Sequence, residues 1–225
     1  MNFAIIPARI GSKRIRNKNI KIFNSKPMLF WVYKELKKSK IFDKIIVTTD
    51  SKKISKVAKR VGFKNIIYRP KKLANDYCPI KPVIRNAISQ LKINEIADNV
   101  CCVFPCNPFL LSQDLKKTFK ILKKNTNEFI YPVVKYSHPI QRSFFLKKNN
   151  KIFFSKKNLF KKRTQDLKNY YHDSGQFYWG TCKNWMSKKN FIDKAIGYEI
   201  PQWRSVDIDN ISDWKKAELL FKVLK

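Results

Sequence analysis

Short apolar runs rich in β-branched residues alternate with helix-patterned segments over the first half of the chain. The runs begin at Phe3, Ile45, Ile66 and Val100, and between them apolar residues recur at helical spacing. Because parallel strands need long crossovers, usually helices, this alternation favours a mixed, mainly parallel sheet covered by helices on both faces. We therefore expect an α/β fold and, at 225 residues, a single domain over residues 1–225.

The helical segments carry their own boundary signals. Pro27 stands where a first-turn proline belongs, and Gly62 occupies the position of a C-terminal cap. Ser112 is placed to cap a later helix, and Asn210 or Ser212 to cap the last one.

The loop after the first apolar run is strongly cationic. Around a single glycine, Gly11, it carries Arg9, Lys13, Arg14, Arg16 and Lys18. Parallel sheets bind ligands at the carboxyl ends of their strands, where loop amides and cations can meet an anion, so we expect a polyphosphate here. A solvated basic turn is the alternative in a chain this rich in lysine. The loop matches neither the Walker pattern nor the Gly-x-Gly-x-x-Gly pattern of dinucleotide sites.

Two carboxylates lie close together near the C-terminus. Asp207 and Asp209 are separated by one residue in a segment that we predict to be a strand end, which would turn both side chains to one side. Paired carboxylates can share a divalent cation. Taken alone, Asp-x-Asp is common and specifies little.

A polar turn at residues 172–175 precedes an aromatic strand that begins at Phe177. Polar groups at the mouth of an aromatic strand offer hydrogen bonds and a stacking face to a ligand. A tight turn before a buried strand is the plain alternative. The histidine at 172 does not predict zinc, since His138 is the only other histidine in the sequence.

Helical periodicity fades over residues 136–171, where phenylalanines lie among basic residues. This composition favours hairpin-like strands with apolar side chains left over. Such a surface fits a dimer contact or a single-stranded nucleic acid.

The charge of the chain raises a nucleic-acid hypothesis of its own. Lysine and arginine number 49 against 16 acidic residues, a formal charge of +33. The lysines are spread over almost every segment, however, and a codon bias toward A+T explains them without any partner. We do not expect a nucleic-acid partner, but a basic nucleic-acid-binding protein stays the non-enzyme alternative. It predicts salt-dependent retention of oligonucleotides and no nucleotide turnover.

Location and redox state follow from what the sequence lacks. No run approaches the roughly 18 apolar residues of a membrane helix, and no secretory pattern opens the chain, so we expect a cytoplasmic protein without membrane contact. The five cysteines include no Cys-x-x-Cys pair. Cys101 and Cys102 are adjacent on a predicted strand and should point to opposite faces, so buried reduced thiols are expected.

Several of these motifs resemble the CMP-sialic acid synthetase (acylneuraminate cytidylyltransferase) family. The opening reads Ile-Pro-Ala-Arg-x-Gly-Ser-Lys-Arg-Ile-x-x-Lys-Asn-Ile, and the chain closes with Ser-Val-Asp-Ile-Asp-Asn. Residues 172–178, His-Asp-Ser-Gly-Gln-Phe-Tyr, are most similar to the pseudaminic acid branch of that family. The resemblance covers nearly the whole chain and implies a nucleotide-diphosphosugar transferase-like fold, with residues 136–171 as a dimerisation excursion.

The sequence departs from the family pattern at a few positions. Ile10 replaces a usual glycine, and we expect a β-branched residue beside the phosphate path to impair the site. Arg16 replaces a proline, and Cys78 and Ile80 stand where the family carries hydroxyls. Asp50, by contrast, matches the family's Thr-Asp turn and is expected to support the loop.

The resemblance implies a reaction of CTP with a nonulosonic acid, pseudaminic acid first and a sialic or legionaminic acid as the alternative, in a homodimer. Arg9, Lys18 and Asp209 are the implied catalytic residues, with Mg²⁺ on Asp207 and Asp209. No residue stands out as a general base. The implied nucleotide-binding residues are Ala8, Arg9, Gly11, Ser12, Lys13, Lys18, Asn19, Arg69 and Asp76. The implied sugar-binding residues are Asn107, His172, Asp173, Ser174, Gln176 and Tyr178.

Overall fold

The computed structural model describes residues 1–94, 97–155, 157–188 and 193–224. Its strands are β1 (Asn2–Pro7), β2 (Ile22–Phe23), β3 (Lys26–Pro27), β4 (Lys44–Thr49), β5 (Asn65–Tyr68), β6 (Asn99–Val103), β7 (Phe129–Lys135), β8 (Phe144–Leu146), β9 (Ile152–Phe154), β10 (Tyr171–Asp173), β11 (Phe177–Thr181) and β12 (Ala195–Glu199). Its α-helices are α1 (Met28–Ser39), α2 (Lys52–Val61), α3 (Ile80–Leu91), α4 (Ser112–Lys124), α5 (Lys157–Phe160), α6 (Cys182–Met186) and α7 (Ile211–Leu224).

Eight of these strands form the central sheet, in the order β10-β7-β11-β6-β1-β4-β5, with β12 also paired to β7. The pairs among β5, β4, β1 and β6 are parallel, and so is the pair of β7 with β12. The short strands β10 and β11 run antiparallel to their neighbours. The predicted mixed, mainly parallel sheet is confirmed.

Both faces of the sheet are buried, which explains why its strands read as continuous apolar runs. On one face Ile6 and Cys101 pack with Leu29 of α1 and with apolar residues of α2 and α4. On the other face Cys102 packs with Ile84 of α3 and Trp185 of α6. The adjacent cysteines therefore point to opposite faces as predicted, and none of the five cysteines, all of which lie in the described residues, forms a disulfide.

Two of the predicted helix caps are confirmed and one is wrong. Gly62 ends α2 with a φ of 117°, which an L side chain rarely adopts. At α7 the Asn210 side chain accepts from the Asp213 amide at 3.0 Å, and the Asp213 carboxylate accepts from the Asn210 amide at 2.9 Å. Ser112 is not the cap of α4, because the helix begins at Ser112 itself and Leu111 holds the N-cap position; the Ser112 amide donates to Glu35 Oε2 of α1 at 2.8 Å.

The predicted hairpin in residues 136–171 is confirmed as β8 and β9. The two strands pair antiparallel, with Phe145 opposite Phe153. Both phenylalanine side chains remain exposed, at 53% and 43%. The dimer contact predicted for this surface stays a prediction.

The carboxylate segment is not a strand. Residues 205–209 pair with no strand, so the prediction of a strand end there was wrong.

Across the described residues, no helix is both long and apolar enough to cross a membrane.

Candidate active site

The polar turns converge at one edge of the sheet. Because β1, β5 and β6 are parallel, the residues that follow them lie at the same edge. The antiparallel strand β11 begins at this edge, since Phe177 pairs with Val103 at the end of β6. A cleft of about 930 Å³ opens there and is lined by the cationic loop, the turn at 172–176 and the segment 204–209.

Asp50 organises the cationic loop, as predicted. Its Oδ1 atom accepts a hydrogen bond from the Ile10 amide at 3.2 Å. From the other side Asn19 Nδ2 donates to the carbonyl of Arg9 at 2.9 Å. Ile10 itself has no positive φ and packs partly buried against the core. The position therefore does not need a glycine for backbone geometry.

Asp76 holds two cations of the loop at once. Its Oδ1 lies 2.7 Å from Arg9 Nη1, and its Oδ2 lies 2.8 Å from Lys13 Nζ. The hydrogen bonds from Lys13 and Arg9, of which the Lys13 bond has the larger effect, lower the pKa of Asp76. The carboxylate is therefore ionised at neutral pH and occupies the cations that would meet a phosphate.

Asp209 holds two further cations of the loop. Its Oδ2 lies 2.8 Å from Arg14 Nη2, and its Oδ1 lies 3.4 Å from Lys18 Nζ. Lys18 Nζ also donates to the carbonyl of Ile208 at 2.7 Å. The carboxylate segment is thereby tied to the loop across nearly the full length of the sequence.

The carboxylate of Asp207 lies in a setting that suits a divalent cation. Burial first, and then the negative charge of Asp209, raise the pKa of Asp207. A carboxylate whose charge is disfavoured by burial and by a second carboxylate offers hard oxygen donors that a cation would neutralise. Among the described residues, no group of three or more acidic, histidine or cysteine side chains accompanies them. Mg²⁺ bound here would therefore keep several ligand positions for substrate oxygens or water.

The turn at 172–176 is held by hydrogen bonds within the turn and to residues on either side of it. Asp173 Oδ1 accepts from the Gly175 amide at 2.8 Å, and the Tyr178 hydroxyl donates to Asp173 Oδ2. Gln176 Nε2 donates to the carbonyl of Arg204 at 2.7 Å. These contacts present a carboxylate at the mouth of β11, where the sequence predicted a polar turn.

Burial determines the protonation state of the Cys106 thiol, which lies on the wall of the cleft. It raises the pKa of Cys106 to about 12, against a smaller opposing effect of Lys18. The thiol is therefore protonated at neutral pH and is a poor nucleophile. A covalent mechanism through Cys106 therefore does not fit this cleft.

Comparison with known proteins agrees with the geometry. Residues 3–219 match the model of the cytidylyltransferase family. The chain belongs to the cytidylyltransferase family. It is 38% identical over 225 residues to the pseudaminic acid cytidylyltransferase of Campylobacter jejuni subsp. jejuni serotype O:2, covering 99% of this chain and 97% of that protein. It is 27% identical to the N-acylneuraminate cytidylyltransferase of Escherichia coli O18:K1:H7, covering 95% of this chain and 50% of that protein.

A solved structure shows the fold that this cytidylyltransferase shares. The CMP:2-keto-3-deoxy-manno-octonic acid synthetase complexed with CTP aligns with a TM-score of 0.72 at 14% identity, covering 99% of this chain and 98% of that one. The resemblance drawn from the sequence motifs and the expected nucleotidyltransferase-like fold are both confirmed.

Most of the predicted site residues of this cytidylyltransferase line the cleft. They are Arg9, Ser12, Lys13, Lys18, Asn19, Arg69, Asp76, Asn107, His172, Asp173, Ser174, Gln176, Asp207 and Asp209. Ala8, Gly11 and Tyr178 do not line it. The backbone of Ala8 bonds to Thr48 at 3.0 Å, and Tyr178 is 6% exposed beneath Asp173. Tyr178 therefore supports the site from behind, which corrects its placement as a sugar contact.

Two charged residues of the cleft were not predicted as site residues. Arg14 was noticed as part of the loop, but its contact with Asp209 was not foreseen. Arg204 gave no signal except its position just before the carboxylate motif, in a chain with many basic residues.

Four lining residues carry a buried polar atom that has no hydrogen-bond partner among the described residues. They are Arg69 Nε, Asn107 Nδ2, Ser174 Oγ and Gln176 Oε1. Each such atom costs about 1–3 kcal/mol when desolvated, and native proteins keep few of them. Their concentration around one cleft is typical of a functional site.

Proposed function

We propose that this cytidylyltransferase transfers a cytidylyl group from CTP to a nonulosonic acid, with pseudaminic acid as the first candidate, and releases pyrophosphate. The observation that carries the proposal is the single cleft that joins the cationic loop, the carboxylate segment and the turn at 172–176. Full-length similarity to a pseudaminic acid cytidylyltransferase supports the choice of sugar acid.

The cations of the loop bind the triphosphate. Arg9 and Lys13 exchange the Asp76 carboxylate for phosphate oxygens, while Lys18 stays near Asp209. The anomeric hydroxyl of the sugar acid attacks the α-phosphorus in line, the new P–O bond forms as the bond to pyrophosphate breaks, and the hydroxyl proton is lost to solvent. Donors fixed before reaction stabilise the charge that develops on the phosphoryl oxygens.

Asp207 and Asp209 would hold Mg²⁺, which supplies positive charge beside the triphosphate when bound. The ion pairs of Asp209 with Arg14 and Lys18 hold its carboxylate against the loop. These residues therefore bring the loop and the cation site to the same substrate group.

The sugar acid binds against the turn at 172–176 and Asn107. Asp173 presents a carboxylate to sugar hydroxyl or amide donors, and Tyr178 and the Gly175 amide hold it in place. A sialic or legionaminic acid would meet the same groups and is the alternative substrate.

We further propose a cytoplasmic homodimer. The exposed phenylalanines of β8 and β9 support a contact between two copies, since monomers rarely expose such a cluster.

Pyrophosphate release from CTP tests the reaction directly. The purified protein, with Mg²⁺, is given pseudaminic, legionaminic and N-acetylneuraminic acid in separate assays, with ATP, GTP and UTP as control nucleotides. We expect release with CTP and pseudaminic acid above all other combinations. Release with none of the sugar acids, together with salt-dependent retention of oligonucleotides, would favour the nucleic-acid alternative.

A further inference from the structure

One buried ion pair anchors the chain just before the carboxylate segment. Arg204 Nη1 donates to Asp114 Oδ2, and the two side chains are only 6% and 2% exposed. Asp114 lies in the first turn of α4, and its Oδ1 accepts from the Tyr198 hydroxyl of β12 at 3.2 Å. The pair therefore joins a helix, a strand and the segment that enters the cleft.

The backbone beside this pair holds the opposite wall of the cleft. The carbonyl of Arg204 accepts from Gln176 Nε2 at 2.7 Å, and Ser205 Oγ donates to the carbonyl of Ser174 at 3.4 Å. The Gln176 carbonyl in turn accepts from the Phe104 amide at 3.0 Å at the end of β6. One point in the chain thus fixes the turn that faces the sugar acid and the start of the segment that leads to Asp207.

We propose that Arg204, anchored by Asp114, is a positioning residue that sets the spacing between the sugar-binding turn and the carboxylate segment. The inference rests on the proposed function, because the two walls are those that would hold the sugar acid and the cation. A guanidinium with a fixed fork and a buried carboxylate hold their backbone at one distance, which an apolar contact does not.

The alternative is a role in stability alone. A buried ion pair is often no more stabilising than a well-packed apolar pair of similar volume, so stability by itself does not account for the pair. Misplacement of reacting groups by about 1 Å can lower a rate by about a hundredfold. A positioning role therefore predicts a loss in kcat that exceeds any change in CTP binding.

The test removes both charges together, so that neither is left buried alone. The variant Asp114→Asn with Arg204→Met is compared with Arg85→Met, whose wild-type side chain donates to the carbonyls of Trp185 and Ser187 and does not line the cleft. Arg204→Lys keeps the charge but not the fork, and serves if the double variant does not fold.

We expect the double variant to lower kcat by about 10- to 100-fold with the KM for CTP within about threefold of wild type. The kcat of Arg204→Lys should lie between those of the double variant and the wild type, and the kcat of Arg85→Met should stay near that of the wild type. A double-variant kcat within about threefold of wild type, or a loss that Arg85→Met reproduces, would overturn the positioning role.

Hydrogen exchange gives a readout that does not depend on turnover. Amides of peptides 172–178 and 203–210 should exchange faster in the double variant, or in Arg204→Lys, while Arg85→Met leaves both peptides unchanged. Unchanged exchange in both peptides would overturn the inference. If the wild-type protein turns over no sugar acid, the proposed function fails, and exchange alone then decides the role of Arg204.

Discussion

The two walls of the cleft are built in opposite ways. On the wall of the cationic loop, Arg9, Lys13 and Asp76 form ion pairs whose side chains are 33%, 81% and 34% exposed. On the facing wall, Gln176 is buried, and the side chains of Arg204 and of Asp114 behind it are 6% and 2% exposed; hydrogen bonds join the three residues. Exposed pairs contribute little to stability and exchange partners readily, whereas buried groups hold one geometry. The cations of the loop can therefore exchange the Asp76 carboxylate for a phosphate group, whereas the facing wall keeps one geometry.

Among the variants of the cleft, Asp209→Asn should lower turnover most. It removes the carboxylate that contacts Arg14 and Lys18 and that would bind Mg²⁺, without changing volume. We expect turnover to fall about a thousandfold, with a smaller fall for Asp207→Asn. Steady-state rates over a range of Mg²⁺ concentrations measure this, with Asp43→Asn as a control, because Asp43 contacts the Asn2 amide at the start of β1. Near-wild-type rates in both variants would exclude the proposed cation site.

Arg9→Ala should lower kcat/KM for CTP by about a hundredfold, because a preorganised donor to the phosphoryl oxygens is lost. The matched control is Asp76→Asn, which removes the same ion pair and leaves the arginine in place. We expect that control to stay within about fivefold of wild type, since exposed pairs are weak. Equal losses of kcat/KM in both variants would mean that the reaction depends on the Arg9–Asp76 ion pair and not on a contact of Arg9 with phosphate.

Tyr178→Phe tests the role of the buried wall in binding the sugar acid. The variant removes the hydroxyl that donates to Asp173, so we expect the KM for the sugar acid to rise about tenfold while the KM for CTP is unchanged. Burial first, and then Asp173, raise the pKa of Tyr178, so the hydroxyl stays protonated and the effect should be constant from about pH 6 to 9. Substrate titrations at several pH values measure it. A rise in the KM for CTP instead would place Tyr178 on the nucleotide side.

Ile10→Gly should have the smallest effect on turnover. Because Ile10 has no positive φ, glycine gains no backbone freedom that the site needs, and the KM for CTP should not change. Stability should fall by at least about 0.5–1 kcal/mol, from unfolded-chain entropy, with a further loss of packing against the core. CTP kinetics and a melting curve on this variant decide the point. A lower KM for CTP would restore the expectation that Ile10 impairs the site.

The sequence predicted local features well and their partners poorly. The strand-helix alternation, the Gly62 cap and the β8–β9 hairpin depend on neighbouring residues, and the structure confirms them. The segment at Asp207 alternates like a strand but pairs with none, because pairing depends on a free sheet edge that no local pattern reports. The Glu35 contact at the start of α4 likewise comes from a distant helix.

The candidate site shows the same division. Residues of the loop and of the turn at 172–176 were found because their motifs are contiguous. Arg204 was not, because a chain with 49 basic residues gives no sign of which one is buried against an acid. Tyr178 was placed in the cleft because its motif is continuous, whereas its side chain packs beneath Asp173 between Phe104 and Tyr131.

The antiparallel course of β11 separates two kinds of connection within one sheet. The loops after β1 and β5 leave parallel strands, whereas the turn at 172–176 enters the edge from β10 and leaves through β11, which pairs with β6 along its length. Replacement of that turn alters no crossover helix and no parallel pair. Substitution of a few residues between two anchored strands would therefore change the proposed sugar contacts and leave in place the strands and helices that carry the cationic loop.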